Sequence, residues 1–175
     1  IKVLDEALKA DVLLISGGVS VGDSDFVKPA LKELGVREIF WRVKIKPGKP
    51  LFFGELGETK VFGLPGNPAS TFVLFEELVR PYLRKCLGHQ QIEVPMRSAK
   101  ITEDFDATSE RLQLLRAYWY HQNGIDWVRP VPQQGSFSIA SIAQANSLIH
   151  MPENSQPLQS GQSVSVLPLA HSFAL

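Results

Sequence analysis

Near the start of the chain, Asp11-Val-Leu-Leu-Ile-Ser16 runs apolar without alternation and ends in a glycine pair, Gly17-Gly18. A run of this kind lacks the every-second-residue polarity of a half-exposed strand. It suits a strand buried on both faces in a parallel sheet. Such a strand needs a hydrogen-bonded neighbour and a crossover helix. Val3, Leu4, Ala7 and Leu8, at helical spacing before it, read as the tail of that helix. The expectation is a domain entered part-way, with further sheet lying upstream.

Helix-like and strand-like segments then alternate. Phe26, Ala30, Leu31 and Leu34 predict a helix over 25–34 that stops at Gly35. Residues 36–43 read as a strand, and 51–53 and 61–64 as short strands with 54–60 as their turn. A long helix is predicted over 68–87, with Ala69, Phe72, Val73, Leu78, Val79, Tyr82, Leu83 and Cys86 as its buried stripe. Asn67 suits its N-cap and Pro68 its first position, where a missing N–H costs nothing. Pro81, inside it, should produce a kink.

After Leu87-Gly88-His89-Gln90-Gln91 the chain changes character. It becomes rich in Ser, Gln and Pro, with short strand-like runs at 111–120, 147–152 and 163–167. Residues 1–91 therefore read as α/β, a partial, parallel-rich sheet with flanking helices. Residues 92–175 read as a small all-β, barrel-like C-terminal domain.

Composition removes several function classes. Eighteen Lys plus Arg balance eighteen Asp plus Glu, so no basic field exists to hold nucleic acid through its phosphates. One cysteine cannot build a disulfide framework or a cysteine-rich zinc site. The four histidines, His89, His121, His150 and His171, lack metal-ligand spacing. No apolar run is long enough for a membrane span and no secretory pattern is seen, so a cytoplasmic location is expected.

Three loops carry the candidate chemistry. Ser16-Gly-Gly-Val-Ser-Val-Gly-Asp-Ser-Asp25 joins a strand to a helix, and its glycines Gly17, Gly18 and Gly22, with Ser20, let backbone N–H groups approach an anion. The spacing fits neither a dinucleotide fingerprint nor a Walker loop. Next, Arg42, Lys44, Lys46 and Lys49 place four cations within eight residues, and Pro47 and Pro50 stiffen that turn-rich loop. Finally, Gly63-Leu-Pro-Gly-Asn-Pro-Ala-Ser70 ends a strand and opens the long helix, whose positive end faces the carboxyl edge of the sheet. All three follow strands and can lie along one edge, where one phosphate-bearing ligand touches them all. Arg111, at the mouth of the 111–120 strand, can reach an oxyanion, whereas Ser136, Ser138 and Ser141 also suit plain helix caps.

Together these motifs resemble a known family. Ser16-Gly-Gly-Val-Ser-Val-Gly22 with Asp25, Lys46-Pro-Gly-Lys-Pro50 and Leu64-Pro-Gly-Asn-Pro68, in that order, look like MoeA, the molybdopterin molybdenumtransferases, and the matching gephyrin E domain. Arg111 with Arg116, Gln134-Gly-Ser136, and Ser141 with Ala145-Asn146 extend the likeness over essentially the whole chain. The resemblance implies a molybdopterin-binding fold. It also implies insertion of molybdate into adenylylated molybdopterin, with hydrolysis of the adenylyl link and release of AMP and molybdenum cofactor.

Carried over by position, Asp25 would sit by the pyrophosphate and hold Mg2+. Asp25, Arg42 and Lys46 would be catalytic, with Lys46 and Lys49 on phosphate or molybdate. Lys44, Pro65, Gly66, Asn67, Pro68 and Ser70 would shape the pocket, which Arg111 and Ser141 would complete. Family members act as homodimers, and a molybdopterin adenylyltransferase is a possible partner. They carry upstream domains and a further acidic site residue, so the isolated fragment is expected to be inactive alone and to bind its ligand weakly. Rival readings are a molybdopterin adenylyltransferase-like protein, a competence-damage-like nucleotide hydrolase and a gephyrin-like scaffold.

Overall fold

The computed structural model describes residues 1–20, 25–106 and 108–169. The first half forms a four-stranded sheet from β1 (Val12–Ser16), β2 (Arg37–Trp41), β4 (Phe52–Leu56) and β5 (Thr59–Leu64), in the order β1-β5-β4-β2. Helices α1 (Lys2–Ala7) and α2 (Val27–Glu33) pack on one face around Leu8, Val19, Leu31 and Val36. A longer helical stretch covers the other face around Leu64, Leu74 and Val79. It comprises α3 (Pro68–Leu74), a π segment (Phe75–Val79) and α4 (Arg80–Cys86).

Within this sheet, among the described residues, parallel character is confined to the β1–β5 pair. The other pairings, β4–β5 and β2–β4, are antiparallel, because the short turn at Gly57-Glu58 makes β4 and β5 a hairpin. Burial of β1 on both faces does not hold either. Among the described residues β1 is the edge of its sheet, and Leu14 is 40% exposed.

Along the long helix Pro81 follows closely on the π segment, a wider turn that suits a residue with no N–H to give to the carbonyl four residues back. One expectation is corrected there. Cys86 is exposed rather than part of the buried stripe. It still lies beside Tyr82, whose hydroxyl is pushed up to about 12 by burial and then by Cys86.

The second half closes into a five-stranded barrel. Its strands are β6 (Arg97–Ile101), β7 (Leu112–Gln122), β8 (Ile125–Pro130), β9 (Ser147–Met151) and β10 (Ser163–Pro168), running β7-β8-β6-β10-β9 and back to β7. Ile101, Leu115, Ala117, Val128, Ile149 and Val166 fill its interior. Alternation along β7 sends Leu115 and Ala117 inward, and Leu114 outward against Val73 of α3, Leu148 and Leu169. The halves thus share a core. A short helix, α5 (Ile139–Ala143), is capped by Ser138, whose hydroxyl accepts the Ser141 N–H at 3.2 Å.

The lysine segment is not only a loop. Ile45–Lys46 forms a two-residue strand, β3, that pairs in parallel with Leu112–Gln113 of β7. A segment of the first half in sequence is therefore built into the sheet of the second.

Candidate oxyanion site

A cavity of about 440 Å³ lies where the two halves meet. Lys46 to Pro50 form one wall, Asn67 and Ser70 at the start of α3 a second, Arg111 and Gln113 to Leu115 a third, and Gln134 to Ser136 the fourth. Lys46, Lys49 and Arg111 bring three cations to a lining that, among the described residues, contains no carboxylate. Such an enclosure favours a small, multiply charged anion.

Each wall is fixed locally. The ends of the lysine segment are tied to each other: Arg42 N–H donates to the Leu51 carbonyl at 2.8 Å and Val43 N–H to that of Lys49 at 3.0 Å. Arg111 Nη1 donates to the Ile45 carbonyl at 3.3 Å, so the guanidinium braces the strand that presents Lys46. Gly48 is buried against α3, with φ +123°, and a Cβ there would stand 2.6 Å from Leu74 Cγ. We expect Gly48→Ala to cost about 2–3 kcal/mol, from backbone strain and overpacking, and to lift the lysine segment off the helix. Thermal melts of the variant against wild type will show the loss of stability.

The start of α3 differs from expectation. Asn67 occupies the cap position, and its side chain makes no cap hydrogen bond. Its Nδ2 instead donates to Ser136 Oγ at 3.3 Å, and the Ala69 N–H donates to the Ser136 carbonyl at 3.2 Å. The barrel loop therefore takes an N–H that the sequence assigns to a ligand. Thr71 Oγ1 donates back to the Pro65 carbonyl and stiffens the turn through Gly66 and Pro68. Pro65 and Ser70 are buried.

The glycine loop joins from behind. Gly17 N–H donates to the Leu64 carbonyl at 2.9 Å, and a Cβ on Gly66 would lie 3.5 Å from the Gly17 Cα, so the two turns touch backbone to backbone. Gly18 packs on Val27 of α2, Ser20 is exposed, and half-buried Asp25 precedes α2. None of these four lines the cavity. Gly22 lies outside the described residues. Among the described residues no three His, Cys, Asp or Glu side chains are grouped to hold a metal. Asp25 alone is a sufficient protein ligand for Mg2+ only where substrate phosphates supply the other oxygens, which is common for that ion.

The remaining predicted cations face an adjoining recess. Arg42 and Lys44 line it with Glu110, Glu153 and Asn154, and Lys49 and Arg111 belong to both concavities. Arg42, held at φ +73°, lays its guanidinium 4.1 Å from the Trp41 ring centroid. Lys44 Nζ is 3.6 Å from Glu153. Lys46 also faces Asp106, whose carboxyl is held below the usual range chiefly by hydrogen bonds from Thr108 and slightly by the Lys46 charge.

Two residues trade places with the expected ones. Ser141 does not reach the cavity: it is buried, accepts from Arg116 Nε at 2.7 Å and donates to the Ser138 carbonyl at 2.6 Å. Ser136 lines the wall instead. Arg116 has no exposed surface; its Nη2 donates to the carbonyls of Gln133 and Gly135, and its Nη1 has no hydrogen-bond partner among the described residues. Burial pushes its pKa down. The available signal was positional: Arg116 alternates with Leu112 and Leu114 on an otherwise apolar strand face.

Both halves of the chain match known proteins. Residues 1–85 match the family model described as a probable molybdopterin binding domain, and residues 98–169 that of the MoeA C-terminal region (domain IV). The molybdopterin molybdenumtransferase of Haemophilus influenzae is 36% identical over 165 residues, covering 93% of this chain and 41% of that protein. The gephyrin of Dictyostelium discoideum is 33% identical over 195 residues, covering 94% and 26%. The crystal structure of the molybdopterin biosynthesis moeA protein from Pyrococcus horikoshii OT3 superposes with a TM-score of 0.72 at 28% identity, covering 95% of this chain and 38% of that one. The chain thus spans well under half the length of these relatives. With both domain models in sequence and the cavity at their junction, the chain belongs to the MoeA and gephyrin E-domain family, of which it carries the C-terminal portion.

Proposed function

We propose that this chain supplies the oxyanion-binding end of a molybdopterin molybdenumtransferase, a protein of molybdenum cofactor biosynthesis. The observation that carries the reading is the cavity lined by Lys46, Lys49 and Arg111 with no carboxylate among the described residues. A tetrahedral dianion such as molybdate suits three converging cations whose backbones are already fixed. Ser136 and Asn67 add neutral hydrogen-bonding groups to the same lining.

In this reading adenylylated molybdopterin lies along the sheet edge, its phosphates reaching toward the Gly17–Gly66 contact and its pterin portion toward the molybdate. Arg42 and Lys44 carry positive charge from the adjoining recess to its phosphates. Asp25 would hold Mg2+ jointly with those phosphates, and the ion would neutralise charge on the departing adenylate. Hydrolysis of the adenylyl P–O–P link by one water releases AMP and leaves the other phosphate on the molybdenum cofactor. We place the domain boundary near residues 91 and 92, between the end of α4 and β6. A homodimer, a molybdopterin adenylyltransferase as donor of the substrate, and a cytoplasmic site of action go with the reading. No helix among the described residues is long and apolar enough to cross a membrane. The match of 98–169 to the MoeA C-terminal region favours this reading over an adenylyltransferase or nucleotide hydrolase.

The test is calorimetric titration of the chain with molybdate and, separately, with AMP at low salt. Saturable molybdate binding that AMP does not displace is the expected outcome. Binding of AMP alone, with no uptake of molybdate, would transfer the chain to the nucleotide-hydrolase reading.

A further inference from the structure

The wall that carries Ser136 is held in an unusual way. Strand β7 pairs with β9 over Gln113–Ala117 and with β8 only from Ala117 onward, where Ala117 faces Pro130. Strand β8 ends at that proline, which has no N–H for a further ladder bond. The Val131 N–H still reaches the Arg116 carbonyl at 2.9 Å, but the Arg116 N–H turns to Gln134 instead of the Val131 carbonyl. The side chain of Gln134 bridges that gap. Its Oε1 accepts the Arg116 N–H at 3.0 Å, and its Nε2 donates to the Arg116 carbonyl at 2.8 Å and to the Val131 carbonyl at 2.6 Å. One carboxamide thus uses an acceptor and both donors on backbone alone.

From that anchor the loop runs through Gly135 to Ser136, whose carbonyl receives the Ala69 N–H and whose hydroxyl receives Asn67 Nδ2. Gln134 therefore stands between the barrel and the start of α3, and it also lines the cavity.

We propose that Gln134 is a positioning residue that sets Ser136, and with it the barrel-side wall, at its distance from Lys46 and Lys49. It acts through Arg116, Val131 and Ser136 rather than by touching the bound anion. The inference rests on reading the cavity as the oxyanion site. It predicts coupling across the molecule: a change at Gln134 should loosen the Ala69 amide, in the other half, although the two residues share no hydrogen bond. A side chain that merely filled space would leave that amide protected.

The experiment compares wild type, Gln134→Met and Gln134→Glu by amide hydrogen exchange and molybdate titration. Methionine keeps the volume and removes all three hydrogen bonds. Exchange at Ala69 is expected to quicken about tenfold, and molybdate affinity to fall about tenfold, which is roughly 1.4 kcal/mol. Glutamate keeps the acceptor for Arg116 but turns a carboxylate toward two carbonyls, which raises its pKa. Sulfate, a dianion from about pH 5 to about pH 7.5, should bind this variant better at the lower pH as the protonated carboxyl regains a donor. Wild type should show a smaller gain with acid. Unchanged exchange at Ala69 in Gln134→Met, or unchanged molybdate affinity despite faster exchange, overturns the proposal. If wild type takes up no molybdate, the oxyanion reading fails, and the exchange comparison still decides whether Gln134 couples the loop to α3.

Discussion

Arg116→Met is expected to leave a folded protein that binds molybdate about 30-fold more weakly or worse, a loss of roughly 2 kcal/mol. The two effects separate because of how the arginine is buried. It has no exposed surface and no carboxylate among its hydrogen-bond partners. A buried ion of this kind costs several kcal/mol to desolvate, and an apolar residue of similar size is often no worse for stability. Methionine gives up hydrogen bonds to Ser141, Gln133 and Gly135, each worth about 1 kcal/mol net, and escapes the desolvation cost. The change in unfolding free energy should stay within about 2 kcal/mol. Arg116→Ala, which also opens a void, should cost about 3–5 kcal/mol.

Affinity is a different matter. The guanidinium lies against the loop that forms one wall of the cavity, and its Nη1 has no hydrogen-bond partner among the described residues. A fixed cation that water does not reach attracts a dianion far more strongly than a surface lysine does. Urea melts and titration calorimetry on the same preparations separate the two quantities. A wild-type molybdate affinity in Arg116→Met would reduce the arginine to a scaffold for the Gln133–Gly135 loop.

What was legible in the sequence was local. The apolar run into Gly17-Gly18, the helix stops at Gly35 and Gly88, the hairpin around Gly57, and Pro68 at a helix start all depend on a few adjacent residues. The structure has them within a few positions of where they were expected. Less legible was anything decided by pairing at a distance. Strand β3 is two residues long and exists only because Leu112–Gln113 lies beside it. Nothing in Lys44-Ile-Lys-Pro-Gly-Lys-Pro50 announces that, since prolines and a glycine argue for a loop. Asn67 was read as a helix cap because Asn before Pro suits one, but the barrel offers it Ser136.

The confusion of Ser141 with Ser136 has the same origin. Both are serines near a short helix, and only the tertiary path of Arg116 shows which hydroxyl it uses. The four cations of 42–49 look like one cluster in sequence. Alternation alone would put Arg42, Lys44 and Lys46 on one face, but Arg42 stands at φ +73° and breaks the extended run, and the four divide between two concavities, with Lys46 in one, Arg42 and Lys44 in the other, and Lys49 in both.

Lys46→Ala provides the second large effect and the sharpest test of which concavity takes the oxyanion. Its backbone is fixed by pairing with Gln113, while its side chain is exposed and lines the cavity. Removing the ammonium therefore deletes a charge and little else. Stability should change by less than about 0.5 kcal/mol, as for other surface positions. Molybdate affinity at low salt should fall at least tenfold, about 1.4 kcal/mol. Because the Lys46 head is open to solvent, salt should shrink the difference between wild type and variant, and most of it should be gone near 1 M, where the screening length is about 3 Å. Lys85→Ala, which removes an exposed cation from the last turn of α4, serves as the charge-matched control and should bind as wild type does. Equal losses in both variants would mean that molybdate responds to net charge alone. No loss in Lys46→Ala would move the oxyanion to the recess of Arg42 and Lys44, whose cations already face Glu110 and Glu153.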